Sequence, residues 1–217
     1  MNIVITGANR GIGLQLTTQY SKDHSVYALC RTPSAELTQL EGVQIIPNTD
    51  VCNTESIHAA LGQCPNIDIL INNAGLLHRV SLDHWDIESM DNQWHVNALA
   101  PIMVARASLQ KLTNGSKVIF ITSRMGSIND NTSGSHYAYR MSKAALNMGA
   151  TSFAIDVRDK GIHVGIIHPG WVQTDMTGHT GNSTAEAAAT HIIDRISNIT
   201  ASNSGQFIHA NGDPLPW

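Results

Sequence analysis

Apolar residues fall in runs of five or six, and stretches with helical spacing separate the runs. Asn2–Thr6 predicts a first strand that ends in a glycine cluster, and Gly11–Lys22 predicts the helix after it. Further strands are predicted over Ser25–Cys30, Val43–Pro47, Ile67–Ile71, Lys117–Thr122, Ile162–Ile167 and Gln206–Ile208. The intervening helices fall at Ala35–Glu41, Asn53–Gly62, Ile87–Leu112, Tyr137–Lys160 and Thr184–Ser197, with Asn53 or Thr54 capping Asn53–Gly62 and Gly161 stopping Tyr137–Lys160. Short apolar strands alternating with helices mean βαβ units. The near-continuous runs IDILI and KVIFIT suit strands covered on both faces. The expected fold class is α/β: one domain over residues 1–217, a doubly wound, parallel, seven-stranded sheet of Rossmann type with helices on both faces. In such a sheet ligands bind beyond the carboxyl ends of the strands.

Composition narrows the function. Apolar residues make up 42% and charged residues 14% of 217 residues, which excludes a disordered chain. Thirteen basic against 17 acidic residues give a net charge of −4, a poor match to nucleic acid. The longest apolar stretch, Ala98–Ala105, is a fraction of a membrane span. The first residues lack the pattern of a secretion signal. Three cysteines at wide spacing, Cys30, Cys52 and Cys64, give no disulfide framework and fit a reducing cytoplasm. The 11 histidines show no metal-ligand spacing, so no metal is expected.

The chemistry gathers at predicted strand ends. Thr6-Gly7-Ala8-Asn9-Arg10-Gly11-Ile12-Gly13 is a glycine-rich turn from strand to helix, able to offer backbone N–H groups and a helix N-terminus to a pyrophosphate. The second strand ends at Arg31 with no carboxylate at its tip. Arg31 and Arg10, expected to face each other, would favour the 2′-phosphate of NADP(H), leaving NAD(H) as second choice. Tyr139 and Lys143 share a helix face at i, i+4 spacing. A neighbouring ammonium lowers a phenol's pKa, bringing it toward proton exchange near neutrality. Ser123 ends a strand, where its hydroxyl could orient a substrate oxygen. Asn97 stands inside a helix four residues before Pro101, which has no N–H, so a kink with a free carbonyl is expected there.

In this order the motifs Thr-Gly-x3-Gly-Ile-Gly, Asn72-Asn73-Ala74-Gly75, Asn97, Ser123, Tyr139-x3-Lys143 and Pro169-Gly170 resemble those of the short-chain dehydrogenase/reductase family, in particular its compact carbonyl-reductase-like and C-factor-like members. The resemblance implies a hydride-transfer oxidoreductase acting between a carbonyl and an alcohol. It implies Tyr139 as general acid/base and Lys143 as the group that lowers the tyrosine's pKa and holds the nicotinamide ribose. Ser123 would bind the substrate oxygen, and the Asn97 main-chain oxygen would hold a water leading to the lysine. It further implies adenine contacts from Asp50 and Val51, although a lone aspartate after a strand can equally be a helix cap. Asn73, Ala74 and Gly75 would close over the ribose, and Val172 and Thr174, after Pro169-Gly170, would hold the carboxamide.

The Ser123–Tyr139 interval is 16 residues, longer than in most of the family, with the excess in Asn129–Ser135. The segment from Thr174 to Thr184 is short and mobile-looking, which predicts an open site with broad selection, lined by Trp171, Met125, Met176, Leu77, His78 and Trp85. Partners are a small carbonyl or alcohol and, as in many relatives, a second copy in a homodimer or homotetramer built on the two long helices. The other class of function is a dinucleotide-binding signalling protein with little turnover. The Trp217 tail has no assigned role.

Overall fold

The computed structural model describes residues 1–217. Seven strands form one parallel sheet: β1 (Asn2–Thr6), β2 (Ser25–Leu29), β3 (Val43–Ile46), β4 (Ile67–Asn72), β5 (Leu112–Ile121), β6 (His163–His168) and, after a separate pair β7 (Val172–Gln173) and β8 (Ser183–Thr184), β9 (Phe207–His209). The sheet order is β3-β2-β1-β4-β5-β6-β9. The chain reverses its direction of travel between β1 and β4, which makes that gap the switch point where a ligand belongs. Every ladder is parallel.

The helices are α1 (Gly11–Tyr20), α2 (Ala35–Thr38), α3 (Thr54–Gly62), α4 (Ile87–Trp94), α5 (Ala100–Ala107), α6 (Tyr137–Asp156) and α7 (Ala185–Ser197). On one sheet face Ile57, Leu61, Val104, Leu146 and Phe153, from α3, α5 and α6, pack on Val118, Phe120 and Val164. On the other face Leu16, Leu37, Ile192 and Ile196, from α1, α2 and α7, pack on Ile3, Ile5 and Ile119. Burial on both sides is why the strands read as unbroken apolar runs. Asn53 caps α3 by accepting from Ser56 N–H, and Gly161 ends the stretch after α6 at φ 67°.

Two elements depart from the pattern in the sequence. The stretch expected as one helix over Ile87–Leu112 is α4, a widened π turn over His95–Leu99, and α5, which ends at Ala107. The ring of Pro101 supplies no N–H, so the ladder cannot continue in α register across it. At the far end the Ser108 hydroxyl donates to Val104 O (2.8 Å) and closes α5 early. The five residues gained extend β5 back to Leu112, with a register irregularity against β4. The expected helix Ala35–Glu41 shrinks to the four residues of α2.

The tail is fixed to the body. Pro214 bridges antiparallel to Ile208, Leu215 N–H donates to Phe207 O (2.9 Å), and the Trp217 ring stacks on Phe207 with centroids 5.4 Å apart. The segment from Thr174 to Thr184 is likewise built: Thr177 Oγ1 donates to Val172 O (2.6 Å), and β7 pairs with β8. This replaces the mobile stretch expected there. No helix is long and apolar enough to cross a membrane.

Candidate active site

The glycine loop is shaped by close approaches. Gly7 and Gly11 have φ of 65° and 54°, a region side chains avoid. A Cβ on Gly13 would collide with the Gly7 carbonyl. One on Gly7 would lie 2.8 Å from Ala74 Cα, and one on Gly11 would meet Thr174 Cγ2 at 3.2 Å. Two chain segments therefore converge on the loop, Asn73–Ala74 at backbone distance and Thr174 through its side chain. Asn73 staples it: its Nδ2 donates to both Thr6 O and Gly7 O (3.1 Å each), while the N–H groups of Asn73 and Ala74 donate to Thr6 Oγ1 (3.1 and 3.2 Å). Asn9 ties the loop to the segment beyond β2, its Oδ1 accepting from Ser34 N–H and its carbonyl from Ser34 Oγ (2.9 Å). Ile12, in the first turn of α1, packs against the core on that face of the sheet.

At the adenosine end, Arg31 is exposed and forms no ion pair. Asp50 is not a helix cap, since Asn53 holds that place; its Oδ1 accepts from Cys52 N–H (2.9 Å). Burial and the Asp50 carboxylate raise the Cys52 pKa while the Arg31 guanidinium lowers it, so both charges lie within reach of this thiol, near Val51. Arg10 does not join Arg31. Its guanidinium pairs with Asp175 (3.1 Å), which also meets His179 Nε2 at 3.1 Å. The reason is the placement of Thr174 against Gly11, which brings Asp175 over the loop.

At the reacting end four predicted residues meet. Tyr139, Lys143, Ser123 and Asn97 are all buried. The Lys143 ammonium lies 5.8 Å from the Tyr139 ring centroid and donates to Ile121 O (3.0 Å). Ser123 Oγ accepts from Met125 N–H (3.2 Å), and its hydroxyl is near enough to the Tyr139 phenol to lower that group's pKa. Gly126 explains the Ser-x-x-Gly spacing: a Cβ there would strike the Lys143 carbonyl at 2.8 Å, so glycine lets the loop lie directly on α6. Gly75 is small for a related reason, its missing Cβ standing 3.3 Å from Asn97 Oδ1 and 3.9 Å from Lys143 Nζ.

Asn97 joins three elements through its side chain. Oδ1 accepts from Leu76 N–H (2.9 Å), and Nδ2 donates to Leu76 O (2.8 Å) and Ser142 Oγ (3.1 Å). Ser142 in turn donates to Tyr139 O (2.9 Å). Ser142 is the residue the sequence reading missed; its position three after Tyr139 on the same helix face was the available signal. Thr122 Oγ1 donates to Asn147 Oδ1 (2.6 Å) beside it and was also missed.

Electrostatics revise one expectation. Burial pushes Tyr139 up to about 12, with the nearby Ser123 hydroxyl pulling the other way. Burial likewise brings Lys143 down to about 8. The lysine, not the tyrosine, is thus the group poised near neutrality. Behind it, His168 precedes Pro169-Gly170 with its Nδ1 buried and unpartnered; burial, then the nearby His209, hold its pKa down to about 3. Gly170 turns there at φ 92°.

The residues fit a dinucleotide on two further observations. The turn leaves the N-terminus of α1 with no side-chain cap, so its N–H groups remain for an anion. Asn72, at the switch point, has both amide atoms buried without a protein partner. Residues 1–185 match the family model for short chain dehydrogenase. The chain belongs to that family. It is 34% identical to 1-hydroxy-2-glutathionyl-2-methyl-3-butene dehydrogenase of Rhodococcus sp. strain AD45, across 99% of both chains. It is 41% identical to C-signal of Myxococcus xanthus over 70% of this chain and 93% of that one. The NADPH-bound carbonyl reductase from chicken fatty liver superposes with a TM-score of 0.90 at 30% identity, covering 100% of this chain and 98% of that one. As a short-chain dehydrogenase the protein binds a nicotinamide cofactor and is an oxidoreductase of the carbonyl/alcohol class.

Proposed function

We propose that this short-chain dehydrogenase reduces small aldehydes and ketones with NADPH, Tyr139 being the proton donor. The observation that carries the reading is the burial of Ser123 and Tyr139 together with the Lys143 ammonium, which lies 5.8 Å from the centre of the phenol ring. The nicotinamide supplies the hydride in reduction and takes it back in oxidation. Ser123 Oγ–H donates to the carbonyl oxygen and aligns it with the phenol, where negative charge develops. Tyr139 transfers its proton to that oxygen. The Lys143 ammonium, 5.8 Å from the centre of the tyrosine ring, stabilises the phenolate left behind. Asn97 fixes the helix face through Ser142 and, by its main-chain oxygen, offers a site for the water that reprotonates the pair.

Support for NADP(H) comes from Arg31, exposed at the tip of β2 where no acid stands, and from the NADPH-bound relative of known structure. Asp50 and Val51 then take the adenine, and Val172 and Thr174 the carboxamide. Arg10, held by Asp175, closes over the loop rather than on the phosphate. Arg31→Asp reverses the cofactor preference, measured as the ratio of kcat/KM with NADPH to that with NADH; an unaltered ratio removes Arg31 from the site. Trp171 and Met176 stand exposed at the mouth, which supports an open cleft with broad selection. Met141, Met148 and Ile155 are exposed at seven-residue spacing along α6 and support a homodimer, checked by mass in solution.

NADPH oxidation against aldehydes, ketones and quinones tests the reading. Turnover of several classes is expected, and Tyr139→Phe lowers it by roughly 10²–10⁴-fold with NADPH affinity retained. The similarity to C-signal favours a second reading, a dinucleotide-binding signalling protein; tight NADPH binding with no carbonyl turned over decides for it.

A further inference from the structure

The loop joining Ser123 to Tyr139 is longer than the chemistry demands, and both of its ends are held by residues outside the reacting set. On the Ser123 side the main-chain oxygen of Trp217 accepts from Asn129 N–H (2.9 Å) and from Ser127 Oγ (3.1 Å). Ser127 is buried and its Oγ also accepts from Asp130 N–H (3.0 Å). Asp130 then pairs with Arg124 (2.7 Å), the neighbour of Ser123. The stacking of Trp217 on Phe207 anchors this chain of contacts to β9. On the Tyr139 side Arg140 gathers the loop. Its Nε donates to Gly134 O and Ser135 O (3.1 Å each) and its Nη2 to Ser133 Oγ (2.9 Å). Gly134, Ser135 and His136 run through the left-handed region in succession, at φ 60°, 57° and 51°. Two of them carry side chains, and such a run persists only where its surroundings over-determine it. Arg140 forms no ion pair; apart from a long contact of Nη1 to Met125 O (3.5 Å), its hydrogen bonds are spent on this turn.

We propose that Trp217 and Arg140 are positioning residues that clamp the Ser123–Tyr139 loop from its two ends and thereby fix the place of the serine hydroxyl relative to the phenol. The proposal rests on the reading of Ser123 and Tyr139 given above. Neither residue touches the glycine loop, so their loss should act on carbonyl turnover and leave the nucleotide alone. A tail that merely stabilised the fold would move both.

The test follows full-length Trp217→Ala, Trp217→Leu, Trp217→Phe and Arg140→Gln by three measurements: NADPH affinity, kcat with an accepted carbonyl, and hydrogen exchange of the peptide spanning residues 124–136. Trp217→Ala and Arg140→Gln are expected to lower kcat about tenfold and speed loop exchange by a similar factor, with NADPH affinity within twofold of the parent. Trp217→Leu keeps apolar bulk should alanine prevent folding and is expected to behave like it. Trp217→Phe keeps a stacking ring and restores both readouts. Unchanged loop exchange in Trp217→Ala, Trp217→Leu and Arg140→Gln overturns the clamp, as does a fall in NADPH affinity that matches the fall in kcat. A parent enzyme inert toward every carbonyl, with exchange still rising in Trp217→Ala, overturns the catalytic reading while supporting the clamp.

Discussion

The two halves of the cleft are built by different means. Around Gly7–Gly13 the shape is set by main chain: glycines at positive φ, backbone pressed on backbone, and Asn73 bonded to carbonyls. Around Ser123 and Tyr139 it is set by side chains: Asn97 to Leu76 and Ser142, Ser123 to Met125 N–H, Lys143 to Ile121 O. Main-chain shape tolerates almost no substitution at a few positions and is indifferent elsewhere. A side-chain network spreads its requirement over many residues, each of which titrates, rotates or can be exchanged. The nucleotide half should therefore fail by steric insult and the reacting half by chemistry.

Tyr139→Phe gives the largest separation, the loss of turnover at retained affinity already described. The converse is Gly13→Ala. Its methyl must displace the Gly7 carbonyl, which costs about 1–3 kcal/mol of stability and weakens NADPH binding, read by thermal unfolding and by titration. A Gly13→Ala protein with parental affinity would break the contrast. Next comes pH. Tyr139 stays protonated to about 12, whereas Lys143 loses its charge near 8. Reductive kcat/KM is accordingly expected to decline above about pH 8 while NADPH affinity, carried mainly by N–H groups, changes far less; a flat profile to pH 10 would remove the ammonium from the mechanism.

His168 sharpens the comparison from the acid side. Its pKa is near 3 in the folded protein and about 6.5 in an unfolded chain, so below about pH 6.5 the unfolded state binds the additional proton. Its contribution to stability is present above that pH and lost as pH falls toward 3, and His168→Asn should flatten that part of a denaturation-against-pH curve. The smallest effect belongs to the ion pair over the glycine loop. Arg10 and Asp175 are both well exposed, and Asp175→Asn should shift stability by about 1 kcal/mol or less, read by urea unfolding.

What could be read from the chain beforehand follows the same division. Glycine spacing declares main-chain shape, so the loop at Gly7–Gly13, the stop at Gly161 and the cap at Asn53 were visible in the sequence. Tyr139 and Lys143 were visible because one helix carries both. Contacts between distant segments leave no periodic trace: the capture of Arg10 by Asp175, the grip of Asn97 on Leu76 and Ser142, and the hold of Arg140 on residues 133–135. The rise of the Tyr139 pKa was hidden for another reason. It follows from burial, whereas the spacing to Lys143 spoke only of the charge beside it.

Phe207–His209 is the last strand of the sheet, and a bare edge there would invite another molecule's strand; instead Leu215 N–H donates to Phe207 O and His209 N–H to Asp213 O. The segment lying across it brings Pro214 and Pro216, neither of which has an N–H to extend the ladder outward. That border is thus finished off against edge-to-edge association, and stripping it away should turn a well-behaved solution into one that forms aggregates.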